Sequence, residues 1–264
     1  MTFDVITIFP GFFSSILEHG VLKRALAGGQ ADIRLHDLRD FTDDRHRTID
    51  DRPFGGGPGM VFKLEPVFKA VAELQAESPG HRFPVVLLSP QGRLFTQALA
   101  ENWMRRERLA LICGRYEGVD ERIAEHVASE EISIGDFVLS GGELPAAVIM
   151  ESVVRLLPGV LGNEESAWQE SFTAPQAGEF RHGLLDCAHY TRPAEFQGWR
   201  VPEVLLSGNH EEIRRWRRQQ ALAKTWRRRP DLLAGLPLSD EDRRWLEALR
   251  SEKREPVVIP SAGE

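Results

Sequence analysis

The first part of the chain alternates short apolar runs with segments of helical periodicity. Strand-like runs rich in aliphatic residues occupy residues 3–9, 31–36, 85–88 and 109–113. Apolar residues at helical spacing predict helices at residues 64–77, 96–106 and 120–127. Wholly apolar strands that alternate with helices are typical of an α/β domain whose sheet is mostly parallel and buried on both faces.

The pattern changes after about residue 159. Residues 162–190 are polar and weakly periodic, as in a linker or loop. Two helices are predicted further on, at residues 210–226 with Asn209 as cap, and at 238–250 with Ser239 and Asp242 as a capping box. We therefore expect a first domain at residues 1–161, a linker at 162–188 and a smaller helical domain at 189–264.

The distribution of charge points to a local contact with a polyanion. A net charge of -7 argues against general affinity for nucleic acid. Residues 214–229, however, contain eight basic side chains and no acidic ones. One basic segment in an acidic chain indicates a local binding surface, with an ordinary solvated helix as the alternative.

Cysteine usage and hydropathy limit the class of protein. Neither Cys113 nor Cys187 lies in a CxxC or Cys/His spacing, so we expect no structural zinc site. No apolar run approaches the roughly 20 residues that a membrane helix needs. The N-terminus is strand-like and lacks the basic region of a secretory signal. These features predict a cytoplasmic location in a reducing compartment, without a membrane partner.

Three glycine-containing loops follow strand-like runs, at residues 89–93, 114–118 and 133–145. Loops beyond the carboxyl ends of parallel strands form ligand pockets, and glycine lets a ligand approach the backbone closely. None of the three matches a dinucleotide fingerprint or a P-loop. An adenosine derivative without a phosphate chain therefore fits better than ATP or NAD. For residues 133–145 alone, a tight strand-to-helix turn is an equal alternative.

A further glycine-rich segment covers residues 50–60 and follows a run of Asp, Arg and His at 43–47. A flexible surface loop would have this composition. Charged side chains beside closely approachable backbone also suit a polar substrate that must be fitted tightly. We favour the second interpretation.

Together these segments resemble the bacterial tRNA (guanine-N1)-methyltransferase family, from Phe9 to about Leu249. The resemblance is carried, in order, by residues 39–42, 44–47, 50–60, 88–93, 113–121, 133–145, 158–162, 189–193 and 205–216. It implies a SPOUT-type α/β fold with a deep trefoil knot, S-adenosyl-L-methionine as methyl donor, and a homodimer with the active site across its interface. The implied activity is methylation of N1 of guanosine 37, on the 3′ side of the anticodon, in tRNA.

The resemblance assigns roles to individual positions. The methyl-donor pocket is expected at Gly114, Ile134, Gly135, Asp136, Phe137, Val138 and Leu139, with walls from Pro90, Tyr116, Glu117, Gly141 and Gly142. Arg155 matches an arginine that the family needs for catalysis. Contacts to tRNA are predicted at Arg45, His46, Asp51, Gly57, Gly59, Arg214, Arg217 and Arg218.

The expected catalytic carboxylate departs from the family pattern. The family places an aspartate immediately before Ser-Phe, where this chain has Glu170. Residues 173–182 look like extra length, and Ala188 replaces a usual proline. Two alternatives therefore stay open: an RNA methyltransferase of the same fold with another target nucleoside, and an RNA-binding homologue without catalytic activity.

The implied chemistry explains the residue types. Guanine N1 carries a proton at neutral pH, and a positioned carboxylate such as Glu170 is expected to accept it. Arg155 is expected to stabilise the charge that develops on O6. This scheme needs no metal ion, and we expect no metal site. The alternatives are that Glu170 is merely solvated and that Arg155 only favours a helix dipole.

Overall fold

The structure is a computed structural model and describes residues 1–162, 170–173 and 183–252. The chain divides into two compact units, Met1–Ala167 and Trp168–Glu264. Leu184 and Cys187, from the end of the predicted linker, lie in the core of the second unit. The finer division at residues 161 and 188 stays a prediction.

The first unit is built around a five-stranded parallel sheet. Its strands are β1 (Thr2–Thr7), β2 (Asp32–Asp37), β5 (Val85–Leu94), β6 (Arg108–Cys113) and β7 (Glu130–Ser133). Their order is β2-β1-β6-β5-β7, and every neighbouring pair is parallel. Two short strands, β3 (Asp50–Asp51) and β4 (Val61–Phe62), form a separate antiparallel pair. The predicted α/β class is confirmed, and the deep knot stays a prediction.

Helices cover both faces of this sheet. They are α1 (Ser14–Leu17), α2 (Gly20–Ala27), α3 (Leu64–Ala76), α4 (Gln97–Trp103), α5 (Glu121–His126) and α6 (Glu143–Val154). On β6, Leu111 and Cys113 pack in a core cluster with residues of α4 and α6. Ala110 and Ile112 belong instead to a cluster with residues of α3 and α5. This alternation explains why β6 is apolar at every position from residue 109 to residue 113.

The second unit contains two long helices, α7 (His210–Arg228) and α8 (Asp240–Glu252), and a short hairpin of β8 (Glu195–Phe196) and β9 (Trp199–Arg200). Its core is formed by Leu184, Cys187, Ala221, Leu222 and Leu246. In the part of the chain that the structure describes, none of the helices combines the length and apolarity needed to cross a bilayer.

The predicted caps of the two long helices are confirmed. The Asn209 side chain accepts hydrogen bonds from the amides of Glu211 and Glu212, at 3.2 and 3.3 Å. At the start of α8, the Asp242 amide donates to Ser239 Oγ (3.1 Å) and the Ser239 amide donates to Asp242 Oδ2 (3.0 Å). These reciprocal bonds are a capping box and set where α8 begins.

Two local features differ from the sequence interpretation. Residues 89–93, predicted as a loop, continue β5 to Leu94 with a register shift between Leu88 and Arg93. A side chain at Gly92 would collide with the backbone of Ile132, so only glycine permits this close pairing. The β8–β9 hairpin was not predicted. It turns on Gln197 and Gly198, both with positive φ, as a tight hairpin requires.

A buried ionic network ties three neighbouring strands together. Asp4 of β1 is fully buried and accepts a 2.6 Å bond from Arg108 Nε of β6. His36 Nε2 of β2 lies 2.9 Å from the other Asp4 oxygen. Burial raises the pKa of Asp4, but hydrogen bonds from His36 and Arg108 and their charges lower it further, so this pKa lies below its ordinary value.

Candidate active site

The three glycine-containing segments converge at one end of the sheet. They follow β5, β6 and β7, which are adjacent in the order β6-β5-β7. Together they enclose a pocket of about 330 Å³. Every residue predicted for the methyl-donor pocket lines it except Asp136, which is exposed: Pro90, Gly114, Tyr116, Glu117, Ile134, Gly135, Phe137, Val138, Leu139, Gly141 and Gly142.

Glycine backbone holds the second segment (residues 114–118) and the third segment (residues 133–145) in contact. The amide of Gly142 donates to the carbonyl of Gly114 at 2.9 Å. A Cβ added to Gly142 would lie 2.7 Å from Cys113 Cα, closer than nonbonded carbons approach. Gly142 is also the residue immediately before α6, so this contact fixes the beginning of the helix against β6.

A buried polar network supports this junction from behind. Glu143, only 2% exposed, accepts a 2.9 Å hydrogen bond from Thr7 Oγ1. Arg115 Nε lies 3.5 Å from the other Glu143 oxygen, an ion pair without hydrogen-bond geometry. Arg115 also donates to Ser140 Oγ (3.3 Å), and its guanidinium lies 4.6 Å from the centre of the Phe9 ring. Arg115 thereby connects the second and third segments.

Sequence reasoning missed this network. Arg115 and Glu143 both lie in glycine-containing segments that the sequence identifies, at residues 114–118 and 133–145. Nothing in their spacing shows that the Glu143 carboxylate is buried. The network also affects Cys113. Burial, and then the negative charge of Glu143, raise the pKa of this thiol well above its usual value, against a smaller opposing effect of Arg115. Cys113 is therefore a neutral packing residue rather than a nucleophile.

The glycine-rich segment at residues 50–60 meets the pocket. The Glu117 amide donates to the Met60 carbonyl (3.1 Å), and the Phe62 amide donates to the Gly118 carbonyl (3.1 Å). A side chain on Gly59, which has a positive φ of 81°, would collide with the Glu117 side chain. The structure therefore brings the predicted substrate loop and the predicted donor loop together.

The other predicted substrate residues near this loop are solvent-exposed: Arg45, His46, Asp51 and Gly57. Arg45 and His46 belong to a turn that Asp44 organises. Asp44 accepts hydrogen bonds from the amides of His46 and Thr48, both at 2.9 Å. The Thr48 amide contributes most to holding the pKa of Asp44 below its usual value. Their contact with tRNA stays a prediction.

The two predicted catalytic residues belong to different units. Arg155 is half-buried at the C-terminal end of α6, and its amide donates to the Glu151 carbonyl at 3.1 Å. Glu170 is half-buried in the second unit, where its carbonyl accepts a 2.7 Å bond from Thr173 Oγ1. The catalytic roles of both stay predictions.

The short segment 170–173 is held by residues 183–186. The Phe172 amide donates to the Leu184 carbonyl (3.0 Å), the Gly183 amide donates to the Thr173 carbonyl (2.8 Å), and the Asp186 amide donates to Ser171 Oγ (2.9 Å). Residues 174–182, most of the predicted extra length, lie outside the described residues. They are inserted between two residues, Thr173 and Gly183, that are hydrogen-bonded to each other.

Known proteins resemble this chain over nearly its whole length. The model of the family described as tRNA (Guanine-1)-methyltransferase TrmD matches residues 1–235. The chain belongs to this family. Three similar proteins named tRNA (guanine-N(1)-)-methyltransferase come from Koribacter versatilis, Moorella thermoacetica and Geobacillus kaustophilus. They are 56%, 54% and 51% identical to it, covering 96%, 97% and 96% of this chain and 100%, 99% and 100% of their own lengths.

In this member of the tRNA (guanine-1)-methyltransferase family, the three arginines predicted to contact tRNA have different surroundings. Arg214 is exposed on α7. Arg218 is only 15% exposed and pairs with Asp242, through Nε to Oδ1 (3.1 Å) and Nη2 to Oδ2 (2.9 Å). This geometry favours a role in holding α7 against α8 over a phosphate contact. Arg217 is half-buried and lines a second pocket.

One group of potential metal ligands occurs within the described ranges, formed by Asp186, Cys187 and His189. The spacing of these residues had not suggested a cluster. His189 Nε2 lies 2.7 Å from Asp186 Oδ2, and the Cys187 amide donates to Asp186 Oδ1 at 2.6 Å. Burial raises the pKa of Asp186, but the hydrogen bonds from His189 and Cys187 lower it below its usual value. Hydrogen bonds within the protein therefore account for this cluster without an ion.

Proposed function

We propose that this chain transfers a methyl group from S-adenosylmethionine to N1 of guanosine 37 in tRNA. The observation that carries the proposal is the pocket of the first unit. Three segments from adjacent parallel strands form it, and a glycine-rich loop joins it directly. The family of the chain supports the reaction class, since it is a family of tRNA (guanine-1)-methyltransferases.

The pocket suits the methyl donor in size and chemistry. Its volume of about 330 Å³ lies in the range of small-molecule sites. Apolar side chains such as Leu139 and Val138 offer contacts for an adenine ring, and the Gly141–Gly142 backbone allows close approach. When bound, S-adenosylmethionine supplies an electrophilic methyl group on a sulfonium.

Glu170 acts as the general base in this proposal. Its carboxylate accepts the N1 proton, which makes N1 a nucleophile. Hydrogen bonds from residues 183–186 hold the segment that carries Glu170, so the added residues 174–182 leave this anchoring in place. Arg155 stabilises the negative charge that develops on guanine O6 with its fixed set of N–H donors.

The protein acts as a homodimer whose active sites combine residues of both copies. Two observations on α6 support this. Gly142 and Arg155 are separated by the length of α6, about 20 Å at roughly 1.5 Å per residue. Arg155 is therefore too distant to act at the pocket beside Gly142 of its own chain. In addition, Leu144 and Val148 lie one turn apart on α6 and are 51% and 44% exposed, as on an interface.

Mixing two inactive variants tests the shared site. Arg155→Gln lacks the cation, and a variant such as Gly142→Ala impairs the donor pocket. If Arg155 serves the pocket of the other copy, each heterodimer has one intact site out of two. About half of the dimers in a re-equilibrated equal mixture are heterodimers, so the mixture recovers up to about a quarter of the wild-type rate. If Arg155 serves its own chain, or the protein is a monomer, the mixture stays as inactive as its components.

The function itself is tested by methyl transfer to an unmodified tRNA transcript, with a methyl-labelled donor and mapping of the modified nucleoside. We expect 1-methylguanosine at position 37 and none in a transcript that has adenosine there. Methylation of another nucleoside would favour an RNA methyltransferase of different target. Binding of tRNA without methylation would favour a non-catalytic homologue. A tRNA substrate places the protein in the cytoplasm, where we propose that it acts.

A further inference from the structure

The second unit contains a pocket that the proposed methyl transfer does not use. Its volume is about 600 Å³. Apolar side chains form its floor, among them Val201 and Leu205 from the segment after β9 and Ile213 from the first turn of α7. Such a floor with open access suits a flat, largely apolar group.

Two arginines and a histidine stand around this floor. His189, Arg192 and Arg217 line the pocket, and none of its lining residues is a carboxylate. Among the described residues, Arg192 and Arg217 make no ion pair. The neighbours of Arg217 on α7 differ in this respect. Arg218 pairs with Asp242, and Arg215 pairs with Glu211 (3.8 Å) and Glu241 (3.5 Å). Unlike Arg215 and Arg218, the two arginines that line the pocket are thus available to an external anion.

Aromatic rings are exposed at the same place. Tyr190 lines the pocket, is 50% exposed, and lies 6.3 Å from the Trp216 ring, centroid to centroid. The β8–β9 hairpin connects two lining residues, Ala194 and Val201. The Val201 amide donates a 2.9 Å hydrogen bond to the Ala194 carbonyl. The hairpin carries Trp199, which is 72% exposed. Exposed rings beside cations are the combination that binds unstacked bases together with their phosphates.

We propose that this pocket binds one unstacked nucleotide of the tRNA, distinct from the guanosine that is methylated. The base stacks on Tyr190 over the floor of Val201, Leu205 and Ile213. Its phosphate lies against Arg192 and Arg217. The inference rests on the proposed function only in taking tRNA as the substrate. The pocket adds a recognition site in the second unit for a nucleotide outside the reaction centre.

The test measures the affinity of labelled tRNA for wild type, Tyr190→Ala, Tyr190→Phe and Arg217→Gln, with Arg215→Gln as the control for loss of one charge on the same helix. Loss of base stacking is expected to weaken tRNA binding by about tenfold in Tyr190→Ala, since stacking on one ring contributes about that factor or more. Tyr190→Phe keeps the ring and binds tightly. Arg217→Gln weakens binding several-fold more than Arg215→Gln. Affinity for S-adenosylmethionine stays the same in all four variants.

A second measurement locates the contact directly. Transcripts containing 4-thiouridine are irradiated with the wild-type protein, and we expect adducts on residues 189–217 that the Tyr190→Ala variant loses. Equal tRNA affinity of folded Tyr190→Ala, Arg217→Gln and Arg215→Gln, without such adducts, overturns the proposal and leaves a protein partner as the occupant. Tight binding of free mononucleotides, with tRNA affinity unaffected by the variants, also overturns it.

These outcomes separate the pocket from the proposed function. If wild type methylates tRNA and the pocket variants bind tRNA normally, the pocket proposal fails and the function stands. If wild type binds tRNA through the pocket but methylates no nucleoside, the function fails and the pocket stands.

Discussion

At the scale of single residues, the donor pocket depends on backbone contacts that only glycine permits. Gly142 approaches Cys113 where the third segment turns into α6, and Arg115 and Glu143 fix the same junction from the interior. Position 142 therefore requires glycine because the third segment packs closely against Cys113. Freedom to bend is not the requirement at Gly142, whose φ of -80° any residue adopts.

Gly142→Ala is therefore expected to damage the pocket. The new methyl group would lie 2.7 Å from Cys113 Cα, and backbone must move to relieve it. Overpacking of this kind costs about 1–3 kcal/mol of folding free energy. We expect the affinity for S-adenosylmethionine, measured by calorimetry, to fall at least tenfold. Gly11→Ala is the control, because a Cβ there meets nothing within 4 Å. Equal donor affinity in both variants would contradict the close-packing explanation.

The sequence was informative about residues wherever a motif was matched position by position. The residues that it predicts to bind the methyl donor, other than Asp136, all line one pocket of the first unit. Their contact with the donor stays a prediction. The sequence was uninformative about Glu143 and about the pairing of Arg218 with Asp242. Both depend on which charged side chains become buried, and burial is set by tertiary packing that residue types and spacing do not specify.

At the scale of elements, helix caps and apolar strands were predictable because they rest on local chemistry. Asn209 and the Ser239–Asp242 pair satisfy amides within one turn of their own helix. The continuation of β5 through residues 89–94 was not predictable, since it depends on pairing with β7 across a register shift. The β8–β9 hairpin was missed because its strands have two residues each, too short for an alternating pattern.

The Asp4 network makes the stability of the sheet depend on pH. The pKa of Asp4 is lowered in the folded state, so its stabilising contribution is fully present above the unfolded value of 3.8 and is lost as pH falls through the lower folded value. At neutral pH, Asp4→Asn is expected to reduce the free energy of unfolding by about 1–3 kcal/mol, because a buried charge-assisted hydrogen bond to Arg108 Nε is weakened. Arg108 keeps its second partner, Glu77, at 2.8 Å.

Denaturant unfolding of wild type and Asp4→Asn as a function of pH checks this. The difference between the two proteins should be constant near neutrality and shrink below pH 3.8. Asp32→Asn, at an exposed position of the neighbouring strand, is the control and should change stability little. A difference that grows on acidification would have the wrong sign for a carboxyl with a lowered pKa.

At the scale of the whole molecule, an acidic chain presents one basic helix. The net charge of -7 opposes general attraction to RNA, so affinity depends on local contacts such as those proposed on α7. Double charge reversal at Arg214 and Arg217 should weaken tRNA binding far more than donor binding. It should also lower the slope of log affinity against log salt by about two, one for each lost phosphate contact.

Charge reversal at Arg105 and Arg106, exposed in the first unit, is the matched control for total charge. It should leave the salt slope nearly unchanged. A common decrease in both double variants would mean that net charge, and not contact on α7, governs the affinity. Arg218 is left out of the test because its pair with Asp242 would make any loss of binding a consequence of altered helix packing.

The central claim is that a carboxylate at position 170 removes the N1 proton before methyl transfer. The most direct test is the single-turnover rate of 1-methylguanosine formation by Glu170→Gln, at saturating tRNA and donor, beside wild type and Glu170→Asp. General-base catalysis contributes about 10²–10⁴ to the rate, so Glu170→Gln should lose at least two orders of magnitude with unchanged donor affinity, while Glu170→Asp keeps part of the rate. A rate for Glu170→Gln close to that of wild type would contradict the account.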